Sequence, residues 1–132
     1  MRALKVFHAL PLSGYTDAEN AIRIQKEDEE IMDFFKKANI DIVLVHPHMT
    51  PCTDEIILKQ LRKPQLYYFG LSLAEGIAQS DMIVFGHGYL AAKGCLVEHI
   101  MAQLYGIPYV ELDKLPSEED LQGKVQKLWE TA

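Results

Sequence analysis

Glu98 is the residue with the clearest chemical potential. It follows a glycine-bearing loop, in the run Ala92-Lys93-Gly94-Cys95-Leu96-Val97-Glu98, near the start of a predicted helix. A carboxylate there can act as a nucleophile, because the positive helix end favours the ionised form that attack requires. Gly94, one turn earlier, leaves space in front of it. The competing reading is an acidic residue that merely complements the helix dipole. Gly86, Gly88 and Gly94 would let backbone approach a ligand, and the amides of Lys93 to Cys95 could receive a phosphate. Plain turn-making explains the same glycines.

Cys95 is a second candidate nucleophile, since thiol pKa values fall at helix N-termini; a small buried hydrophobe is its alternative role. His46, His48 and His87 could meet above a sheet, but no further ligand of recognisable spacing accompanies His46-Pro47-His48, so no metal is expected. Tyr67, Tyr68 and Phe69 could stack a base or fill core.

These residues need a scaffold, and the chain alternates apolar runs with amphipathic ones. Strands are predicted at Leu4 to Leu10, Asp41 to His46, Asp81 to Phe85 and Ile107 to Leu112. The second, DIVLVH, reads as a strand buried on both faces. Thr16 and Glu19 have capping-box spacing, so a helix should start there and end near Asn39, with Ala21, Ile22, Ile24, Ile31, Phe34 and Phe35 as its apolar stripe. Its charged middle, Lys26 to Glu30, reads as a solvated face.

Further helices are expected from Thr53 or Asp54 to Leu61, from Leu66 to Gln79, from Lys93 to Tyr105 with Gly106 at its end, and from Ser117 to about Glu130. In the Lys93 helix, Val97, Ile100 and Leu104 mark the expected buried stripe, with Glu98 at its edge. Alternating strands and helices imply a doubly wound α/β fold with a parallel sheet, flavodoxin- or Rossmann-like, in the order 2-1-3-4 with helices on both faces. Ligands bind such sheets where the strand order reverses, at the strand carboxyl ends. The loops there are His8 to Thr16 and Gly86 to Lys93.

The bulk properties narrow the function. The chain has 132 residues, 48% hydrophobic and 24% charged, with a formal net charge of −6. That suits one domain spanning residues 1–132 with a single respectable core. A negative chain without a basic stripe argues against a nucleic-acid polymer as partner. Two cysteines, Cys52 and Cys95, form no disulfide framework. With neither a signal peptide nor a membrane-length run, a cytoplasmic protein that binds no membrane is expected.

Ser80-Asp81, an apolar strand, Gly94 and Glu98, then Ala102 and Gly106-Ile107-Pro108 together resemble the nucleoside 2-deoxyribosyltransferase superfamily, especially its small phage and bacterial members of unassigned function. Deoxynucleoside monophosphate N-glycosidases are relatives. The resemblance implies that Glu98 is a catalytic glutamate that attacks the anomeric carbon of a (deoxy)ribosyl group and displaces the base. It implies substrate contacts from Ser13, Gly14 and Tyr15 in the first loop and at the Ala92 position in the second, where the strand order by itself already puts Gly86, His87, Gly88, Lys93 and Gly94 at the crevice. It further implies a homo-oligomer, dimer or tetramer, in which a neighbour helps to close the site. The expected partner is a small nucleoside or nucleotide, with no cofactor.

Two positions depart from the family pattern. Ala92 stands where Asp or Ser is usual, and Leu73 where an assisting Asp is usual. They motivate the alternative of a non-catalytic protein that sequesters or senses a nucleotide in the same pocket.

Overall fold

Four short strands form one parallel sheet in the order β2-β1-β3-β4, with β1 at Leu4–Ala9, β2 at Ile42–Val45, β3 at Met82–Phe85 and β4 at Tyr109–Glu111. The computed structural model describes residues 3–12, 14–46 and 59–131. Between the strands lie α1 (Asp17–Lys37), α2 (Pro64–Glu75) and α3 (Lys93–Tyr105), and α4 (Glu118–Thr131) closes the chain. This is the expected doubly wound α/β architecture, in the expected strand order. Ser13, His48, Cys52 and most of the helix expected up to Leu61 lie outside the described residues.

Alternation along β1 sorts the core into two layers. Leu4 and Val6, with Met82, Val84 and Val110, pack against Ile31 and Phe35 of α1 and Leu121 and Val125 of α4. Phe7 and Ala9, with Ile83 and Phe85, face the other way onto Cys95 and Ala102 of α3, with Leu73 of α2 beside them. Each large side chain so buried contributes roughly 1.5–3 kcal/mol. On the second face Phe85, Tyr89, His99 and Tyr109 form a ring cluster, and the Tyr89 hydroxyl donates to Glu111.

Local chemistry sets the element ends. Thr16 accepts the Glu19 amide at 3.1 Å while the Glu19 carboxylate accepts the Thr16 amide at 3.0 Å, the reciprocal box that starts α1. Asn39 takes a left-handed φ of 61° just beyond α1. Gly106, at φ 66°, ends α3 as its position predicts. Ser117 accepts the Asp120 amide at 3.1 Å and opens α4. The second predicted helix is interrupted: α2 stops at Glu75, and Ile77–Gln79 is a separate 3-10 turn. A side chain at Gly76 would collide with Phe7, so the core requires glycine at that break.

Three packing expectations are overturned. β2 lies at the sheet edge and is only partly covered, with Val43 52% exposed, so its apolar run does not report burial on both faces. In α1 the buried residues are Asn20, Glu27, Ile31 and Phe35, whereas Ile22 is 69% exposed; Glu27, from the supposedly solvated run, points inward. In α3 the buried residues are Cys95, Glu98 and Ala102, while Val97, Ile100 and Leu104 are 44%, 53% and 76% exposed. The helix turns its polar glutamate in and its apolar stripe out, the reverse of the simple hydropathy expectation.

Candidate functional site

The chain reversal between β1 and β3 opens a cleft at the carboxyl ends of the strands. It has a volume of about 900 Å³ and mainly apolar walls, drawn from Leu10 to Leu12, Tyr15 and Arg23 on one side and His87 to Lys93 on the other. Leu66 and Phe69 of α2 and Gly94, Cys95 and Val97 of α3 complete it. Of the sequence-predicted contacts, Tyr15, His87, Gly88, Ala92, Lys93 and Gly94 all line this cleft. Gly14 and Gly86 are not among the lining residues. Gly86 is buried beneath, where an added Cβ would collide with the Glu27 carboxylate.

Two features suit the cleft to an anion. No side chain caps the first turn of α3, whose N-cap is Ala92, so its amides keep the positive helix end available. Arg23 brings a full charge. Its guanidinium donates to the Pro11 carbonyl at 2.5 Å and to Asn20 Oδ1 at 2.9 Å, and it stacks 3.7 Å over the Tyr15 ring. Aromatic surface from Tyr15 and Phe69 lies in the same cavity. Gly94 is backed by Phe69, which a Cβ would meet at 3.7 Å, an ordinary contact.

His87 is pinned on the rim. Its Nδ1 lies 2.5 Å from Asp113 and its Nε2 2.9 Å from Glu30. Asp113 also accepts the Gly88 amide at 3.1 Å, which holds the glycine in its left-handed conformation, φ 74°. The Asp113 contact, followed by Glu30, raises the His87 pKa above its ordinary value of 6.5; the His87 contact lowers that of Asp113.

Glu98 lies on the inner face of α3, one turn beyond Gly94, and is 6% exposed. It is not among the cleft-lining residues. Among the described residues no hydrogen bond or ion pair meets its carboxylate, and burial pushes its pKa up to about 7. Desolvation thus outweighs the helix end that was expected to keep it ionised. Cys95 fares the same way: burial, then the charge of Glu98, pushes the thiol up to about 12, which removes it as an activated nucleophile.

Sequence reasoning missed a polar cluster on the α1 face of the sheet. His8 is fully buried in β1, with Nε2 2.9 Å from Glu27 Oε1 and Nδ1 2.8 Å from Asp28 Oδ1. His46, just past β2, places Nε2 2.8 Å from Asp28 Oδ2. The signal was present in α1, where Glu27 occupies the stripe between Ile24 and Ile31 at helical spacing. Of the three histidines first considered together, His46 belongs to this cluster, His87 sits on the cleft rim, and His48 lies outside the described residues.

No protein-family model matches the chain, and no curated protein and no solved structure shows significant similarity to it. Among the described residues no helix is long and apolar enough to cross a membrane.

Proposed function

We propose that the cleft receives a nucleoside or nucleotide and that Glu98 cleaves or transfers its N-glycosidic bond. The observation that carries this reading is a buried carboxylate, paired by none of the described residues, one helical turn behind the cleft-lining residues Gly94 and Cys95. Desolvating a carboxylate without a partner is unfavourable, and carboxyls with such raised pKa values concentrate where a reaction uses them. In this reading the 5′-phosphate sits at the first turn of α3 near Arg23, and the base lies against Tyr15 and Phe69. The ionised Glu98 attacks the anomeric carbon as the base departs, and water or a second base then releases the sugar from the glutamate.

The departing base needs a proton. Leu73, where the resembled family has an assisting acid, packs into the core. In this reading His87, on the cleft wall with its raised pKa, is the donor, its Nε2 exchanging the Glu30 contact for the base. The test is to incubate the protein with a panel of (deoxy)nucleosides and their monophosphates and to follow free base chromatographically. Base release that disappears in Glu98→Ala is expected; no release from any substrate, or equal release by the variant, refutes the proposal.

A second reading, binding without turnover, draws support from Glu98 lying off the cleft surface, so that a small rearrangement must precede any attack. Thermal stabilisation by a nucleotide without base release selects it. For assembly, the exposed stripe Val97, Ile100 and Leu104 suits a second copy of the chain. Val97 also lines the cleft, so a partner seated there would border the ligand. Sedimentation of the native protein and of Leu104→Glu tests this: a native dimer or tetramer that the substitution dissociates is expected.

A further inference from the structure

We propose that His8, Asp28 and His46 form a binding site for a divalent transition-metal ion of the zinc type, separate from the cleft chemistry of Glu98. The register of the sheet builds it. β1 and β2 run parallel with Phe7 beside Val45, so His8 and the following His46 come side by side at the strand ends. Their rings are 6.1 Å apart, centre to centre. Asp28 reaches from α1 to both, 2.8 Å from His8 Nδ1 and within 3.0 Å of His46 Nε2 through either oxygen. One ligand atom from each of the three residues lies within 4.8 Å of the others.

The donor set and its spacing fit a metal. Zinc holds imidazole nitrogen and carboxylate oxygen at ~2.0–2.2 Å, so donors around a tetrahedral ion stand about 3.4 Å apart. Two of the three pairings are already shorter than that, and a rotation of the Asp28 carboxylate is enough to admit an ion between the rings. Two neutral imidazoles and one carboxylate suit zinc and its neighbours rather than magnesium or calcium, which take mostly oxygen. Three protein ligands leave a coordination position for water. Asp28 and His46 side chains are 23% and 35% exposed, so an ion has a route in from solvent.

An independent observation is the partner of His8's second nitrogen. Nε2 faces the Glu27 carboxylate, which is itself buried and backed by Gly86. A neutral imidazole has only one N–H. Given to Glu27, it leaves the Nδ1 lone pair directed at an Asp28 oxygen, so a second cation, a proton or a metal ion, must lie between the two atoms. A bound metal ligand characteristically has this outer carboxylate fixing its tautomer and orientation. Glu27 and Asp28 together supply two negative charges to a fully buried imidazole, matching a divalent cation.

The experiment uses tag-free, chelator-stripped full-length protein, titrated with zinc sulfate by calorimetry and with cobalt chloride by visible absorption. One ion per chain is expected, with cobalt d–d bands of a nitrogen- and oxygen-ligated site. His46→Ala and Asp28→Ala, both at partly exposed positions, should each weaken zinc at least tenfold while keeping the native circular dichroism spectrum. Glu27→Gln should weaken it about 10–100-fold without removing a ligand. A native protein that binds neither ion overturns the proposal, as does affinity unchanged in His46→Ala and Asp28→Ala.

Discussion

Glu98→Gln should stabilise the protein at alkaline pH, by an amount that grows with pH. Burial raises the Glu98 carboxyl from 4.5 to about 7, so the folded state holds its proton where the unfolded chain has released it. Stability from this group is fully present below pH 4.5, falls as pH rises towards 7, and is level above that. A shift of this size corresponds to roughly 3 kcal/mol, at about 1.4 kcal/mol for each pKa unit. Glutamine keeps the shape and carries no charge to desolvate. The difference in unfolding free energy between variant and native protein should therefore move by about 3 kcal/mol in favour of glutamine between pH 4.5 and 8. Urea unfolding at the two pH values measures it, and because the one group tied to the Glu98 charge, the Cys95 thiol, lies far above pH 8 in the native fold, the double difference reports chiefly on Glu98. With a slope of ~1–3 kcal/mol per molar urea, the relative midpoint should shift by on the order of 1–3 M. A difference that stays constant with pH, or that favours glutamate at pH 8, would refute the assignment of Glu98 as a desolvated buried acid. The same ionisation sets one limb of the expected rate profile: base release should rise with pH through about 7, as the attacking carboxylate forms, and fall again as His87, raised above 6.5, loses the proton it donates.

Other expectations concern the frame around the cleft. Thr16→Ala removes the box that starts α1 and should cost about 1 kcal/mol in urea unfolding, with little change in slope. Gly86→Ala should push Glu27 off His8; retention of the native zinc affinity by this variant would contradict the tight packing described at that glycine. His87 should titrate above 6.5 by NMR and fall back in Asp113→Asn. Its contribution to holding the Gly88 loop is lost as pH rises past that raised value, and the contribution of Asp113 is lost as pH falls through a value below 3.8, leaving the loop best anchored in between. Cys95, buried with its thiol at about 12, should resist alkylation at pH 8 in the native protein and react once unfolded, as followed by peptide mass spectrometry.

The strand order was legible because short apolar runs alternate with helical ones, and right-handed crossovers leave few ways to assemble them. The cleft followed from the order alone, which is why six of the predicted contacts meet in it. Faces were harder to read. Val97, Ile100 and Leu104 look like core by hydropathy, yet α3 is oriented by its Cys95 and Ala102 contacts with β3, and periodicity cannot say which side of an all-round apolar helix faces inward. Edge position was equally hidden in DIVLVH, since Val43 is as apolar as its partly covered neighbours. The His8 cluster was legible only in part, through Glu27 on the apolar stripe of α1. A histidine inside an apolar strand gives no spacing signal, and its partners come from a helix about 20 residues later and a strand about 40 residues later, so only the register of β1 on β2 brings them together.

That register also imposes a schedule on the newborn chain. β1 is central, yet it is made first, and its partner on the far side, β3, pairs Val6 with Met82. At ~5–20 residues per second, β3 leaves the ribosome on the order of 4–15 s after β1. Throughout that interval Leu4, Val6 and Phe7, all fully buried in the finished molecule, lack β3 and the later elements that cover them, and among the described elements α1, β2 and α2 are the ones already made. The densely charged stretch Lys26 to Glu30 emerges during the same wait, and its repulsion opposes association between neighbouring nascent chains. The half-built sheet β2-β1 is thus the species a chaperone would meet, with its β3 edge still unpaired.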